Sequence, residues 1–474
     1  MKRCALMLVL VTALVVAPVP ARAARGSGEP EGAEEVLRLS VHPAPEPVPA
    51  LKYVLLPPLP ERQRGNAALQ YERAALLSTE REWPDAAEFQ ELLELPLSGL
   101  RQKHISMPDH ILREVERGAR RERCQWELPL EEGFALLLPD LRYYRQIARS
   151  LALRARVEVA EGNYGDALST LQSGLAMSRH VGQGSTVIHS LVGMVMSDVT
   201  LDIVEDWVQC PDAPNLYWAL TALPDPLVET RSGFELEQNV MAFQHPELAD
   251  PLGSRLGPEG WRAIFEEVRF LMDASDRMQS WLSSPTALAL VTYTEGKEHL
   301  VEEGYSRAEV EAMPVLQVVA AYMVDGFERI TQEGHKLAYL PYWQARPGFE
   351  EVEDMLSEVR DQGRKDALLP LLIMPAIDRV CLERARLARR IAMLRCIEAV
   401  RAYAAAHEGR LPASLQEEGM LPVSTDPVIG RPFAYSVEDG EAVLATEVPA
   451  GGAYDRVLRY VLTIARHEGT GGRR

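Results

Sequence analysis

Cysteine is scarce in this chain, five residues in 474, and no two of them form a CxxC pair. A zinc ribbon or a thioredoxin-like redox site is therefore not indicated. Cys381 and Cys396 fall in one predicted helix, where fifteen residues separate them. At 1.5 Å rise that is about 22 Å, beyond the roughly 7 Å between Cα atoms that a disulfide spans. Pairing of Cys124 with Cys210 stays open, since an oxidising compartment permits it. The sequence also lacks HExxH, GxSxG and the Gly-Lys-Ser/Thr ending of a phosphate loop, which "VGQGSTV" (Val181–Val187) does not supply. No metal or cofactor is expected. Positive charge is in deficit: 50 Lys and Arg stand against 69 Asp and Glu, a formal charge of −19. A chain so acidic repels phosphate backbones, so nucleic acid is excluded as a partner.

Past the N-terminus no apolar run is long enough to cross a bilayer, which takes about 20 residues. The most apolar candidate, "LLPLLIMPAI" (Leu368–Ile377), is short and carries two prolines. The N-terminus itself has three parts: Lys2 and Arg3, the apolar stretch Ala5–Ala17, and the small-residue end Ala21-Arg22-Ala23. That is the layout of a secretory signal peptide, with cleavage expected after Ala23 and a periplasmic or secreted destination. Removing Lys2, Arg3 and Arg22 takes the formal charge from −19 to −22.

Composition then divides the chain. Residues 1–23 are the signal peptide, and 24–50, rich in Pro, Glu, Ala and Gly, read as a disordered linker. Residues 51–375 form a helical domain, 376–468 a long helix followed by a small antiparallel sheet, and 469–474 a disordered tail. "DLRYYRQIARSLALRARVEVAEGNYGDALSTLQSGLAMSRHVGQG" predicts two antiparallel helices turning at Gly162 and Asn163, and Ser185 is placed to cap the next helix. Further helices are predicted at 258–283, 286–302, 306–329, 347–362 and 376–407. "RPFAYSVEDGEAVLATEV" alternates on both sides of Asp439-Gly440 and predicts a hairpin in which Glu438 pairs with Glu441 and Tyr435 with Leu444. "YDRVLRYVLTIAR" supplies a third strand. The fold class is mainly α: an irregular antiparallel, repeat-like helical body with a small C-terminal α+β module.

Few residues suggest a site. His180 and His189 stand on neighbouring predicted helices, where they can meet with an acidic residue such as Asp198. Tyr217 and Trp218, inside "PDAPNLYWALTALPDP", are candidate anchors for a partner, since large aromatics dominate binding hot spots. Arg379, Arg386, Arg390 and Arg401 form a basic stripe on the long helix, expected to bridge to acidic neighbours. The leading expectation is a non-enzymatic scaffold or interaction module of the cell envelope whose partner is another protein. The alternatives are an envelope hydrolase with a site assembled from scattered residues, and an accessory of secretion machinery.

Three resemblances accompany this reading. Leu151, Ala155, Ala167, Leu171 and Gly174, with Gly162 and Tyr164 at the turn, resemble one tetratricopeptide hairpin over residues 141–181. Arg154 and Glu158 depart from that family's pattern, and no second copy follows at a 34-residue period. Tyr403, Gly409, Leu411, Pro412, Asp426, Pro427, Gly430, Pro432 and Tyr435 resemble the soluble part of a type II secretion major pseudopilin over residues 396–446. That likeness implies a helix leading into an antiparallel sheet. It carries over neither pilus assembly nor calcium, because the helix is studded with arginine and the region after the sheet reads "VPAGGAYDR". The whole chain is similar to a group of uncharacterised exported helical proteins of planctomycete type, which implies a shared architecture and no activity.

Overall fold

The computed structural model describes residues 34–81, 86–102, 107–129, 138, 140–273, 285–361, 370–448 and 457–465. The signal peptide (1–23), the first part of the linker (24–33) and the tail (469–474) lie outside the described residues.

The described chain opens with strands β1 (Glu34–Val41) and β2 (Gln63–Asn66), helices α1 (Ala68–Thr79), α2 (Ala86–Glu94), α3 (Leu97–Leu100) and α4 (Asp109–Ala119), and strand β3 (Arg121–Arg123). Helices α5 (Leu141–Glu161), α6 (Tyr164–Gly182) and α7 (Val187–Trp207) pack on one another and form the centre of the body. Around them run α8 (Tyr217–Thr221), α9 (Arg231–Gln244), α10 (Pro258–Asp273), α11 (Pro285–Glu302), α12 (Arg307–Ala312), α13 (Val315–Leu337) and α14 (Tyr342–Asp361). The long helix α15 (Pro370–Ala406) then leads into strands β4 (Ala434–Glu438), β5 (Glu441–Ala445) and β6 (Val457–Ile464).

Local chemistry explains most boundaries. Gly162, at φ +78°, closes α5, and the Asn163 N–H donates to the Glu158 carbonyl at 2.8 Å, so the chain reverses within two residues. The cap of α7 is Thr186, not Ser185: its side chain accepts from the His189 N–H. The predicted helix over 306–329 is two helices, because Pro314 removes a donor and α13 restarts behind it. α7 is the helix among the described residues long and apolar enough to cross a membrane; 78% of its most apolar stretch is buried inside the fold, against α5, α6 and α15.

The hairpin forms in the expected register, Tyr435 opposite Leu444 and Glu438 opposite Glu441, with Asp439 and Gly440 both at positive φ. β6 adds antiparallel to β5. The fourth strand overturns part of the linker reading. β1 lies parallel to β6, Glu34 opposite Val457 through Val41 opposite Ile464, giving the order β1-β6-β5-β4. The averaged composition of residues 24–50 hides a period-2 run, in which Leu37, Leu39 and Val41 point inward while Val36, Arg38 and Ser40 face out.

One apolar interior serves helices and sheet alike. It runs from Leu39 and Val41 through Leu171, Trp207 and Ile397 to Leu444 and Leu462, so 51–375 and 376–468 share a core. A second cluster, centred on Tyr71, Ile147 and Met177, lies under α1 and α4.

Candidate functional site

His180 on α6 and His189 on α7 do come together, around an indole the sequence did not mark. Trp126 lies with its ring centroid 6.2 Å from that of His189, 5.5 Å from Tyr144 and 6.1 Å from Tyr71. Its Nε1 donates to the His180 carbonyl at 2.8 Å. Tyr71 Oη and His180 Nδ1 share a 2.8 Å hydrogen bond, and Thr186 Oγ1 meets His189 Nδ1 at 2.7 Å. Burial pushes both imidazoles down to about 4, with the Arg179 and Arg62 charges adding to the effect at His180. Both are therefore neutral at pH 7. Asp198 is no partner to them: it stands nine residues beyond His189 on the same helix, about 13 Å along the axis. Its carboxylate turns to Arg390 instead, at 3.0 Å.

Tyr217 and Trp218 are consumed inside the molecule. Asn215 donates to the carbonyls of Ala44 at 3.2 Å and Glu398 at 2.8 Å, and accepts from the Tyr217 N–H at 2.9 Å. Tyr217 is buried, its hydroxyl donates to the Pro422 carbonyl, and the Arg395 guanidinium lies 5.6 Å over its ring. Trp218 Nε1 donates to Glu46 at 2.8 Å, with its ring edge-on to Tyr217. "PDAPNLYW" thus fastens the N-terminal segment to α15 and to the loop after it.

The arginines of α15 are tied down in the same way. Arg401 and Glu398 are fully buried together, and Arg401 also donates to the carbonyls of His42 and Ala213. Arg389 holds the buried Asp426 at 2.8 Å, within the Asp426-Pro427 turn. Arg390 sits among Asp198, Asp202 and Glu205 of α7, and Tyr460 on β6 donates to Glu205 at 2.6 Å. Burial pushes the Asp202 carboxyl up to about 7, against the opposing pull of Arg390. Arg386 pairs with Glu383 on its own helix. Arg389, Arg390 and Arg401 thus become internal ties, whereas the Arg386–Glu383 pair is partly exposed.

What the protein does display is the turn between α13 and α14, "AYLPYW" (Ala338–Trp343). Tyr339, Leu340 and Trp343 are 58%, 41% and 45% exposed, a concentration of apolar surface on five residues. Tyr342 faces inward, its hydroxyl donating to Asp378 at 3.1 Å, and this anchors the turn. The Arg231 guanidinium lies 5.2 Å over the Tyr339 ring. Trp343 rests on Gly430, where a Cβ would stand 2.5 Å from the indole, so the loop after α15 supports the ring from below. The signal was legible, three aromatics and a proline in six residues, but the same letters fit a buried turn equally well.

A second surface feature is an open hollow of about 540 Å³ at the end of α15, lined by Ala406 to Arg410. His407 stacks on Tyr403 at 3.9 Å and its Nδ1–H donates to the Tyr403 carbonyl at 2.8 Å. Arg410 is engaged by Tyr403 and Glu417, and the Tyr403 hydroxyl leads the groups holding the Glu417 carboxyl down at about 2. Among the described residues no three His, Cys, Asp or Glu side chains are placed to hold a metal ion. The four described cysteines are free thiols, Cys124 and Cys210 included. Comparison of the chain with protein families, with curated proteins and with solved structures finds no match.

Proposed function

We propose that this is an exported, non-enzymatic scaffold that binds another protein of the periplasm or cell envelope through the Tyr339–Trp343 turn. One observation carries the reading: three large apolar side chains are held outward by an inward-facing Tyr342 and a supporting Gly430. Rigid, clustered aromatics of this kind suit the centre of a binding patch, since their ordering cost is already met before association. The histidines, Tyr217 and Trp218 are occupied with internal bonds, whereas the turn gathers three exposed large apolar side chains within five residues.

The test is affinity capture from envelope extract with the mature chain and with Tyr339→Ala/Trp343→Ala. A partner held by the first and lost by the second, with melting temperatures equal, supports the reading. Equal recovery by both chains overturns it. Recovery from the periplasmic fraction with an N-terminus near Ala24 tests export; retention of the first 23 residues counts against it.

A further inference from the structure

The most deeply buried arginines of this acidic protein meet carboxylates: Arg156 meets Asp206, Arg389 meets Asp426, Arg390 meets three acids and Arg401 meets Glu398. The partly buried Arg384 and Arg395 are still engaged, by Thr230 and the Ala338 carbonyl and by Ser424 and the Tyr217 ring. Arg145 and Arg149 on α5 break the pattern. Each is partly buried, and neither makes an ion pair or a hydrogen bond with any described residue. They stand one turn apart on one side of the helix, so their Cβ atoms are about 5–6 Å apart. Burial disfavours the charge on both, and the Arg145 charge further opposes that on Arg149. Arg156, in helical register with them at i+11 and i+7, shows what this side of α5 does with a guanidinium. It takes Asp206 at 2.6 Å and the carbonyls of Leu93 and Leu95 at 2.6 and 2.7 Å.

Two adjacent guanidinium groups present paired N–H forks and two positive charges to whatever lies above them. A single carboxylate matches one fork; a tetrahedral oxyanion with two negative charges matches both. We propose that Arg145 and Arg149 form an oxyanion-binding site of the phosphate class. The same chemistry serves free phosphate or a lipid phosphate headgroup. This surface is separate from the aromatic turn and does not depend on the reading of that turn.

The experiment is titration calorimetry at fixed ionic strength in chloride buffer, with inorganic phosphate in one arm and phosphatidylglycerol-containing vesicles in the other. Mature chain, Arg145→Gln/Arg149→Gln and Arg145→Lys/Arg149→Lys are compared. The expected result is binding in at least one arm that weakens tenfold or more in the glutamine variant and by less in the lysine variant, which keeps charge but loses the fork. Binding in the phosphate arm assigns the free anion; binding confined to vesicles assigns the headgroup. No binding by the mature chain in either arm, or equal affinity in the mature chain and the glutamine variant, overturns the proposal. Should the glutamine variant fail to fold, the mature chain and the lysine variant still decide it.

Discussion

Arg390 ties α15 to three acids of α7, and its replacement by methionine isolates what that junction contributes. The guanidinium, 11% exposed, faces Glu205 (4% exposed), Asp202 (16%) and Asp198 (43%). The Asp198 pair is half solvated and contributes little. Asp202 and Glu205 are buried, and removing the one cation between two buried carboxylates costs about 3–5 kcal/mol. The loss depends on pH. Burial already raises the Asp202 carboxyl from 3.8 to about 7 in the folded protein, even with Arg390 pulling it down. The folded state therefore binds more protons than the unfolded chain between about pH 4 and pH 7, and stability from this group falls as pH rises through that window. Without Arg390 the folded value climbs further, so the decline extends above pH 7. Urea unfolding followed by circular dichroism, at pH 5 and pH 8, reads this directly. The gap between wild type and Arg390→Met should be wide at pH 8 and narrower at pH 5. A gap below about 1 kcal/mol at pH 8 would mean that the junction is neutral, as some buried ion pairs are. An equal gap at both pH values would mean that the carboxylates are not what Arg390 offsets.

Three further outcomes are expected. Asn215→Ala removes two donated bonds and one accepted bond at the meeting of Ala44, Glu398 and Tyr217. It should cost roughly 2–4 kcal/mol and speed amide exchange around His42–Glu46; unchanged exchange there refutes the fastening role. Gly430→Ala places a side chain at φ +70° and 2.5 Å from Trp343. It should cost about 1–2 kcal/mol from the left-handed backbone alone and shift the indole emission, whereas an unchanged spectrum means that the ring does not rest on that loop. Burial pushes the thiols of Cys210, Cys381 and Cys396 up to about 11, 12 and 12, so the native protein should react slowly with a thiol reagent. In urea without reductant all five thiols of the chain should titrate; two fewer would mean that Cys124 and Cys210 are bridged.

Where the determinant is local, the sequence is explicit. Asp439-Gly440 sets hairpin register by turn chemistry alone, and the pairing follows from two residues that tolerate positive φ. The α5–α6 reversal at Gly162 is of the same kind. Where the determinant is a distant partner, sequence is silent. Nothing in "EEVLRLSV" names β6 as its neighbour, since a parallel pair needs no turn between its strands. The arginines of α15 show the intermediate case. Their destination in ion pairs follows from an acidic composition, but only the fold assigns Arg390 to α7, Arg389 to the Asp426 turn and Arg401 to the N-terminal segment. The histidine pair was legible as neighbouring helices. Its company of Tyr71 and Trp126 was not, because those residues arrive from α1 and from the segment after β3.

The first and last described strands meet for a reason that these bonds make plain. β1 reaches the sheet only beside β6, and closing a loop of that length costs roughly 5 kcal/mol in an unstructured chain. The bonds that follow β1 offset that cost: His42 donates to Val208, Ala44 to Arg401, and Asn215 and Trp218 take up Ala44 and Glu46. Each of those partners belongs to α8, α15 or the turn between α7 and α8. These bonds hold the segment from His42 to Glu46 on a fixed track across the helices, and β1 lies beside β6 as its extension. The Asp-Pro and Gly residues of 410–436 serve the same closure from the other side. Asp426 is held by Arg389 while its backbone bonds Arg431 and Gly430, which turns the chain from α15 into the hairpin whose second strand receives β6. The sheet is therefore a clasp on the helical body, with an interior continuous with that body.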